Sequence, residues 1–262
     1  MGKVISLLNH KGGVGKTTSV INIGAAMVEL GKKSLLIDLD PQANLTLSLG
    51  ATRPPQTIYE AMRGESELIP LPVKENLDVI VSTLDLSGAE MELINEAGRE
   101  FILRELLSPL REEYDFIIID CPPSLGLLTL NALTSSDYVM IPLQTEFLAL
   151  QGLAKIKQVI QKVKLRLNKG LQIGGVIATM YDSRKVLNRD VVETIKKYFG
   201  DLVFETMIRD NVALAEAPSQ RKDIFDYSRN SAGAEDYLSL CKEILVRVER
   251  FEEMAVKGGV RE

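Results

Sequence analysis

The run Asn9-His10-Lys11-Gly12-Gly13-Val14-Gly15-Lys16-Thr17-Thr18 decides how the rest of this chain is read. It follows an apolar segment, Lys3 to Leu8, and leads straight into a helical pattern from Lys16 to Leu30, so its glycines occupy a strand-to-helix turn. Glycine tolerates positive φ, which lets a short stretch of backbone curl until successive N–H groups converge on one point. The start of the following helix adds positive potential there. Gly12, Gly13, Val14, Gly15 and Thr18 are therefore expected to line a phosphate cradle. Lys16 is expected to neutralise the β- and γ-phosphates of ATP, and Thr17 to give its hydroxyl to Mg²⁺. At a typical glycine share of about 7%, three glycines at fixed offsets arise by chance in roughly one window of three thousand, so an ordinary turn is the weaker reading. His10 is the only histidine; it can form no histidine metal pair, and a role in supporting the loop is expected.

Outward from the loop, short apolar runs alternate with longer helical patterns, the signature of crossover units on a parallel sheet. Strands are expected at Lys3 to Leu8, Ser34 to Asp38, Leu77 to Ser82, Phe116 to Asp120, Tyr138 to Pro142 and Ile173 to Thr179. Helices are expected at Lys16 to Leu30, Arg99 to Leu110, Gly126 to Ala132, Leu148 to Leu167 and Val186 to Phe199, with a terminal helix from Ala232 to Ala255. The segment Ala51 to Val73 carries prolines at 54, 55, 70 and 72 around a short helical patch, and reads as an insertion over one sheet edge. The expectation is a doubly wound, mostly parallel α/β fold with helices on both faces, residues 1–262 forming one domain.

With 262 residues, 45% of them hydrophobic, the chain can bury one large core. A net charge of -5 argues against coating nucleic acid by overall charge, so any DNA contact must be regional. Cys121 and Cys241 match no metal-ligand or paired-thiol spacing and read as buried reduced thiols, with a cytoplasmic address. The N-terminus has no export-signal layout, and no apolar run is long enough to cross a membrane.

Two of the expected strands end in aspartate on the carboxyl edge beside the loop, where open α/β sheets bind ligands. These are Leu35-Leu36-Ile37-Asp38-Leu39-Asp40-Pro41-Gln42 and Ile117-Ile118-Ile119-Asp120-Cys121-Pro122-Pro123. Mg²⁺ takes one or two carboxylates plus waters and phosphate oxygens, which suits Asp120. Asp40 is expected to orient the attacking water, within reach of the metal, because phosphoryl transfer gains most from positioning. Asp38 is kept as a structural residue.

The loop has His10 where the general phosphate-loop pattern has glycine, but Lys11-Gly12-Gly13-Val14-Gly15-Lys16-Thr17 resembles the lysine-first form of the ParA/MinD branch, and the chain resembles ParA/Soj partition ATPases. The resemblance extends to Ser87-Gly88-Ala89-Glu90-Met91-Glu92, Ser124-Leu125-Gly126-Leu127-Leu128-Thr129 and Thr179-Met180-Tyr181-Asp182. It implies a Mg²⁺-dependent ATP hydrolase that dimerises with ATP, Lys11 reaching across to the partner's nucleotide and Asn211 lying near the adenine. It also implies non-specific binding of double-stranded DNA, a ParB-like partner that stimulates hydrolysis, and a nucleoid-associated role in chromosome or plasmid segregation. A DNA-reading extension before the loop is not expected. Arg184, Lys185, Arg189, Arg221 and Lys222 are the candidate DNA contacts, with Lys196 and Lys197 nearby. Arg184 stands where Soj-like proteins place a DNA-binding arginine. The stretch similar to I-P-R-N-V-R-L departs, however, reading Ile208-Arg209-Asp210-Asn211-Val212-Ala213-Leu214, which removes one arginine and substitutes another with aspartate.

Three rivals share the loop. A MinD-like membrane ATPase needs a basic amphipathic C-terminal helix, and here Glu249, Glu252 and Glu253 would be repelled by anionic lipid. A nitrogenase-iron-protein-like carrier needs two well-placed cysteines for a cluster, which Cys121 and Cys241 are not. Lys11 and the Ser124-Leu125-Gly126 segment speak against a ligase of the dethiobiotin-synthetase type. A positioning ATPase with a protein cargo remains an alternative within the family.

Overall fold

A computed structural model describes residues 1–51, 56–146 and 152–258. In chain order the strands are β1 (Lys3–Leu7), β2 (Ser34–Asp38), β3 (Leu71–Lys74), β4 (Leu77–Ile80), β5 (Phe116–Asp120), β6 (Tyr138–Gln144) and β7 (Gln172–Thr179). The α-helices are α1 (Lys16–Glu29), α2 (Asn44–Ser48), α3 (Ile58–Met62), α4 (Leu86–Glu92), α5 (Ile102–Leu107), α6 (Leu127–Ser135), α7 (Leu153–Arg166), α8 (Val186–Phe199), α9 (Val212–Glu216), α10 (Ile224–Ser228) and α11 (Ala232–Gly258). The strands form one sheet in the order β3-β4-β2-β5-β1-β6-β7, parallel throughout except for the antiparallel edge pair β3–β4.

Period-two alternation divides each central strand between two cores. Val4, Leu35, Ile37, Ile117 and Ile119 face one layer, closed by side chains of α3, α5, α6, α7 and α8 such as Ile58, Leu103, Leu128, Ile156 and Val191. Ile5, Leu7, Leu36 and Ile118 face the other, closed by α1, α10 and the long α11, with Ile23, Ile224, Leu240 and Ile244 in contact. Because both faces are covered, the central strands carry apolar runs that serve both cores, as Phe116-Ile117-Ile118-Ile119 does in β5. Gly24 lets α1 lie close on the sheet: a Cβ there would come within 2.5 Å of Leu36 Cδ2.

The expected strands and the helix over Val186–Phe199 are present, with ends shifted by a few residues elsewhere. The expected helix from Arg99 to Leu110 contracts to α5. The insertion holds a short helix, α3, whose Thr57 and Glu60 form a reciprocal capping box. It also contributes the edge strand β3, which was not among the expected strands. Pro72 is tolerated there because β3 is an edge strand with a register shift between Pro72 and Lys74. Pro54, Pro55 and the expected helix start at Leu148 lie outside the described residues.

Candidate nucleotide site

The parallel register sets the site. Leu7 stands beside Asp120, and Asp38 stands beside Asp120 on the other side, so the loop after β1 and the ends of β2 and β5 share one edge of the sheet. Within the loop Gly13 and Gly15 adopt φ of 73° and 82°, values at which a side chain would be strained. Gly15 is the N-cap of α1 and supplies no side-chain cap, and no acidic residue sits in the first turn, so the first-turn N–H groups are left for an outside acceptor.

The loop is braced from the neighbouring strands. Asn9 Nδ2 donates to the Pro142 carbonyl at 2.7 Å, and Asn9 Oδ1 accepts from Lys11 N at 3.0 Å. Thr179, at the end of β7, donates through Oγ1 to the Val14 carbonyl at 2.9 Å. Lys16 is nearly buried and folds back so that Nζ donates to the Lys11 carbonyl at 3.1 Å, spanning the curl of the loop. The His10 ring fills the space against Gly152, where a Cβ would overlap it. Burial, helped by the charges of Lys11, Lys155 and Lys16, lowers the His10 pKa, which keeps the imidazole neutral and suits the expected supporting role.

Behind the loop lie the carboxylates. Thr17 Oγ1 donates to Asp120 Oδ2 at 2.6 Å, while Asp120 Oδ1 is buried without a hydrogen-bond partner. Burial first, then the charge of Asp38, pushes the Asp120 carboxyl up to about 8. An orphaned buried carboxylate oxygen beside a threonine hydroxyl is a donor set that suits a hard cation, and these residues fit Mg²⁺. Asp38 is fully enclosed and occupied, accepting from Thr46 N at 2.8 Å, Thr46 Oγ1 at 2.7 Å and Asp40 N at 3.3 Å. Desolvation still raises it to about 6. Asp40 is fixed by its Oδ1 accepting from Gln42 N at 3.0 Å and by Ser82 Oγ donating to its carbonyl at 2.9 Å. Thr46 and Ser82 were missed in the sequence: nothing in their spacing marks them as partners of Asp38 and Asp40.

Asn211 reaches the same edge through β7. Tyr181 N donates to the Ile208 carbonyl at 3.0 Å, and Asn211 Oδ1 caps α9 by accepting from Ala213 N at 2.9 Å. Arg209, in the stretch that departs from I-P-R-N-V-R-L, is held in ion pairs. Its guanidinium donates to Asp236 and Glu235 with its shortest contacts at 2.6 Å, and these bonds push its pKa up.

The candidate DNA residues fall into two groups. Arg184, Lys185 and Arg189 gather at the start of α8; Arg184 is largely exposed but forks onto Asp182, holding that carboxyl down to about 2, and Arg189 Nη1 donates to the Ser183 carbonyl. Arg221 and Lys222 stand before α10, against the other core, with Arg221 lying over Gly50 near the end of α2. Lys196 is paired with Glu205. Among the described residues no helix is long and apolar enough to cross a membrane. Cys121 and Cys241 are both buried free thiols.

Residues 2–173 match a family model described as "AAA domain". The sporulation initiation inhibitor protein Soj of Bacillus subtilis is 48% identical over 93% of this chain and 98% of its own length. The chromosome-partitioning ATPase Soj of Treponema pallidum is 48% identical over 94% and 98%. Among solved structures, one named cobyrinic acid a,c-diamide synthase from Mycobacterium smegmatis, with bound ADP and magnesium, is 37% identical and superposes with a TM-score of 0.84 over 95% of this chain and 96% of its own.

Proposed function

The chain belongs to the Soj/ParA family of chromosome-partitioning ATPases, and on that premise we propose that it is a Mg²⁺-dependent switch between one-subunit and two-subunit states. ATP binding closes a homodimer, the dimer holds double-stranded DNA without sequence preference, and hydrolysis to ADP and phosphate releases it. A ParB-like partner protein stimulates the hydrolysis, and the setting is the nucleoid in the cytoplasm. The cargo is a chromosome or plasmid.

The observation that carries this reading is the Thr17–Asp120 pair set beside an uncapped, glycine-rich helix start. The loop N–H groups of Gly12, Gly13, Val14, Gly15 and Thr18 take the phosphates. Lys16 exchanges the Lys11 carbonyl for phosphate oxygens, a charge-assisted bond replacing a neutral one. Thr17 and Asp120, with Asp40 within reach of the metal, would hold Mg²⁺, which when bound draws off charge from the phosphate oxygens. Asp40, held by Gln42 and Ser82, orients the attacking water. Lys11 stabilises transferred charge in the partner's site as an arginine finger would. Asn211 stands beside the adenine.

DNA contact through Arg184, Lys185, Arg189, Arg221 and Lys222 would be made by charge to phosphate and would weaken with salt. The deciding experiment is duplex binding at several salt concentrations with ATP, with ADP, and for Lys16→Ala. Binding that needs ATP, weakens with salt and is lost in the variant supports the switch. ATP turnover without DNA binding in any condition refutes the DNA platform and leaves the dimer acting on another surface. The synthase name of one structural neighbour favours a second reading, a metabolic ATP-dependent ligase. ATP turnover in the absence of any added metabolite rules that reading out.

A further inference from the structure

The segment from Leu153 to Gly170 carries Lys155, Lys157, Lys162, Lys164, Arg166 and Lys169 and not one acidic residue, in a chain whose net charge is -5. All six side chains are exposed, and among the described residues none of them forms an ion pair. Other basic stretches here are mixed: α8 sets Arg189, Lys196 and Lys197 among Asp190 and Glu193, and α11 alternates both signs. Helix α7 is the exception.

Its geometry orders those charges. Leu153, Ile156, Ile160 and Val163 form the buried stripe against the sheet. At 100° per residue Lys155, Lys162 and Arg166 fall within about 40° of one another on one flank, and Lys157 and Lys164 fall together on the opposite flank. Between the two rows lies a neutral outer crest of Ala154, Gln158, Gln161 and Leu165. Lys155 and Lys162, like Lys157 and Lys164, are seven residues apart and so about 10 Å apart along the axis. Two parallel rows of flexible cations with no compensating anion suit a polyanion that is itself a regular array of charges.

We propose that the outer face of α7 is a contact surface for the phosphate backbone of double-stranded DNA, additional to the residues at the start of α8. The proposal rests on the DNA-binding reading above and names where that binding is made. A membrane is the poorer occupant, because the apolar stripe that would enter lipid is already used in the core. The surface is also close to the nucleotide. Gly152, which immediately precedes α7, packs on His10 of the loop, and Lys155 is near enough to bear on the His10 charge. Backbone contact along α7 is thereby joined to the ATP site by one short segment.

The test compares three proteins binding a duplex with ATP across a salt series: wild type, Lys157→Gln/Lys162→Gln/Lys164→Gln, and a charge-matched control, Lys32→Gln/Lys242→Gln/Arg250→Gln. Each removed phosphate contact lowers the slope of log K against log salt by about 0.9. The α7 variant is expected to lose about 2 to 3 units of slope and at least tenfold in affinity at low salt, with an unchanged melting temperature, while the control keeps both. An α7 variant that matches the control overturns the proposal and leaves the DNA reading standing. Wild-type protein that binds no duplex overturns both.

Discussion

Replacing Asp120 with asparagine should stabilise the nucleotide-free protein while destroying its response to Mg²⁺ and ATP. The carboxyl is fully buried, Thr17 is its one hydrogen-bond donor, and its pKa is raised from 3.8 to about 8. The sign follows from linkage. A carboxyl with a raised folded pKa holds its proton in the native state and loses it in the unfolded chain over the window from 3.8 to about 8, so stability falls as pH rises through that window. At 1.36 kcal/mol per pH unit the loss accumulated by pH 7 is about 4 kcal/mol. Asparagine removes that loss, and its Oδ1 still accepts from Thr17. Its amide N–H groups then want acceptors, an unmet need that costs about 1–3 kcal/mol. The net expectation at pH 7 is a gain of about 1–3 kcal/mol, a rise in melting temperature on the order of 5 °C for a chain of this size.

Urea unfolding at pH 5 and pH 7.5, with and without Mg²⁺ and a non-hydrolysable ATP analogue, measures both parts. Without ligand, the advantage of Asp120→Asn should grow with pH. With ligand, wild type should gain by mass action and the variant should not. A variant less stable than wild type at pH 7.5, or an advantage that ignores pH, would refute the account of Asp120 as an uncompensated carboxylate waiting for a cation.

Lys16→Ala removes the ammonium that spans the loop and should cut ATP turnover by at least about a hundredfold, the scale for losing one preorganised charge donor, as read by phosphate release with the fold intact by circular dichroism. Gly24→Val drives a side chain into Leu36 and Leu77 and should cost about 1–3 kcal/mol in urea midpoint analysis. His10 has a folded pKa below 6.5, so it contributes stability that is present above 6.5 and lost as pH falls toward the folded value. The stability difference between His10→Gln and wild type should therefore change between pH 7.5 and 5.5 and stay flat above 7.5.

What the sequence disclosed and what it hid follow one physical division. The central strands were legible because a strand buried on both faces reads as a near-continuous apolar run, and Phe116-Ile117-Ile118-Ile119 can be little else. The loop was legible because its glycines are required by backbone angles that Gly13 and Gly15 do adopt. Edge strand β3 was not, since an edge tolerates Pro72 and needs no apolar run. The pairing of Arg209 was hidden for a different reason. A free arginine and one forked onto Asp236 and Glu235 have the same letter, and the two carboxylates come from a helix more than twenty residues further on. The basic face of α7 shows the converse: its lysines were in plain view as letters, yet only burial separates a helix whose cations all face solvent from one that spends them in ion pairs. Contacts local in sequence, or forced by the backbone, can be read in advance. The electrostatic value of a charged side chain is settled by partners that only the fold brings near, so a glycine-forced loop can be read from its letters while a basic surface cannot.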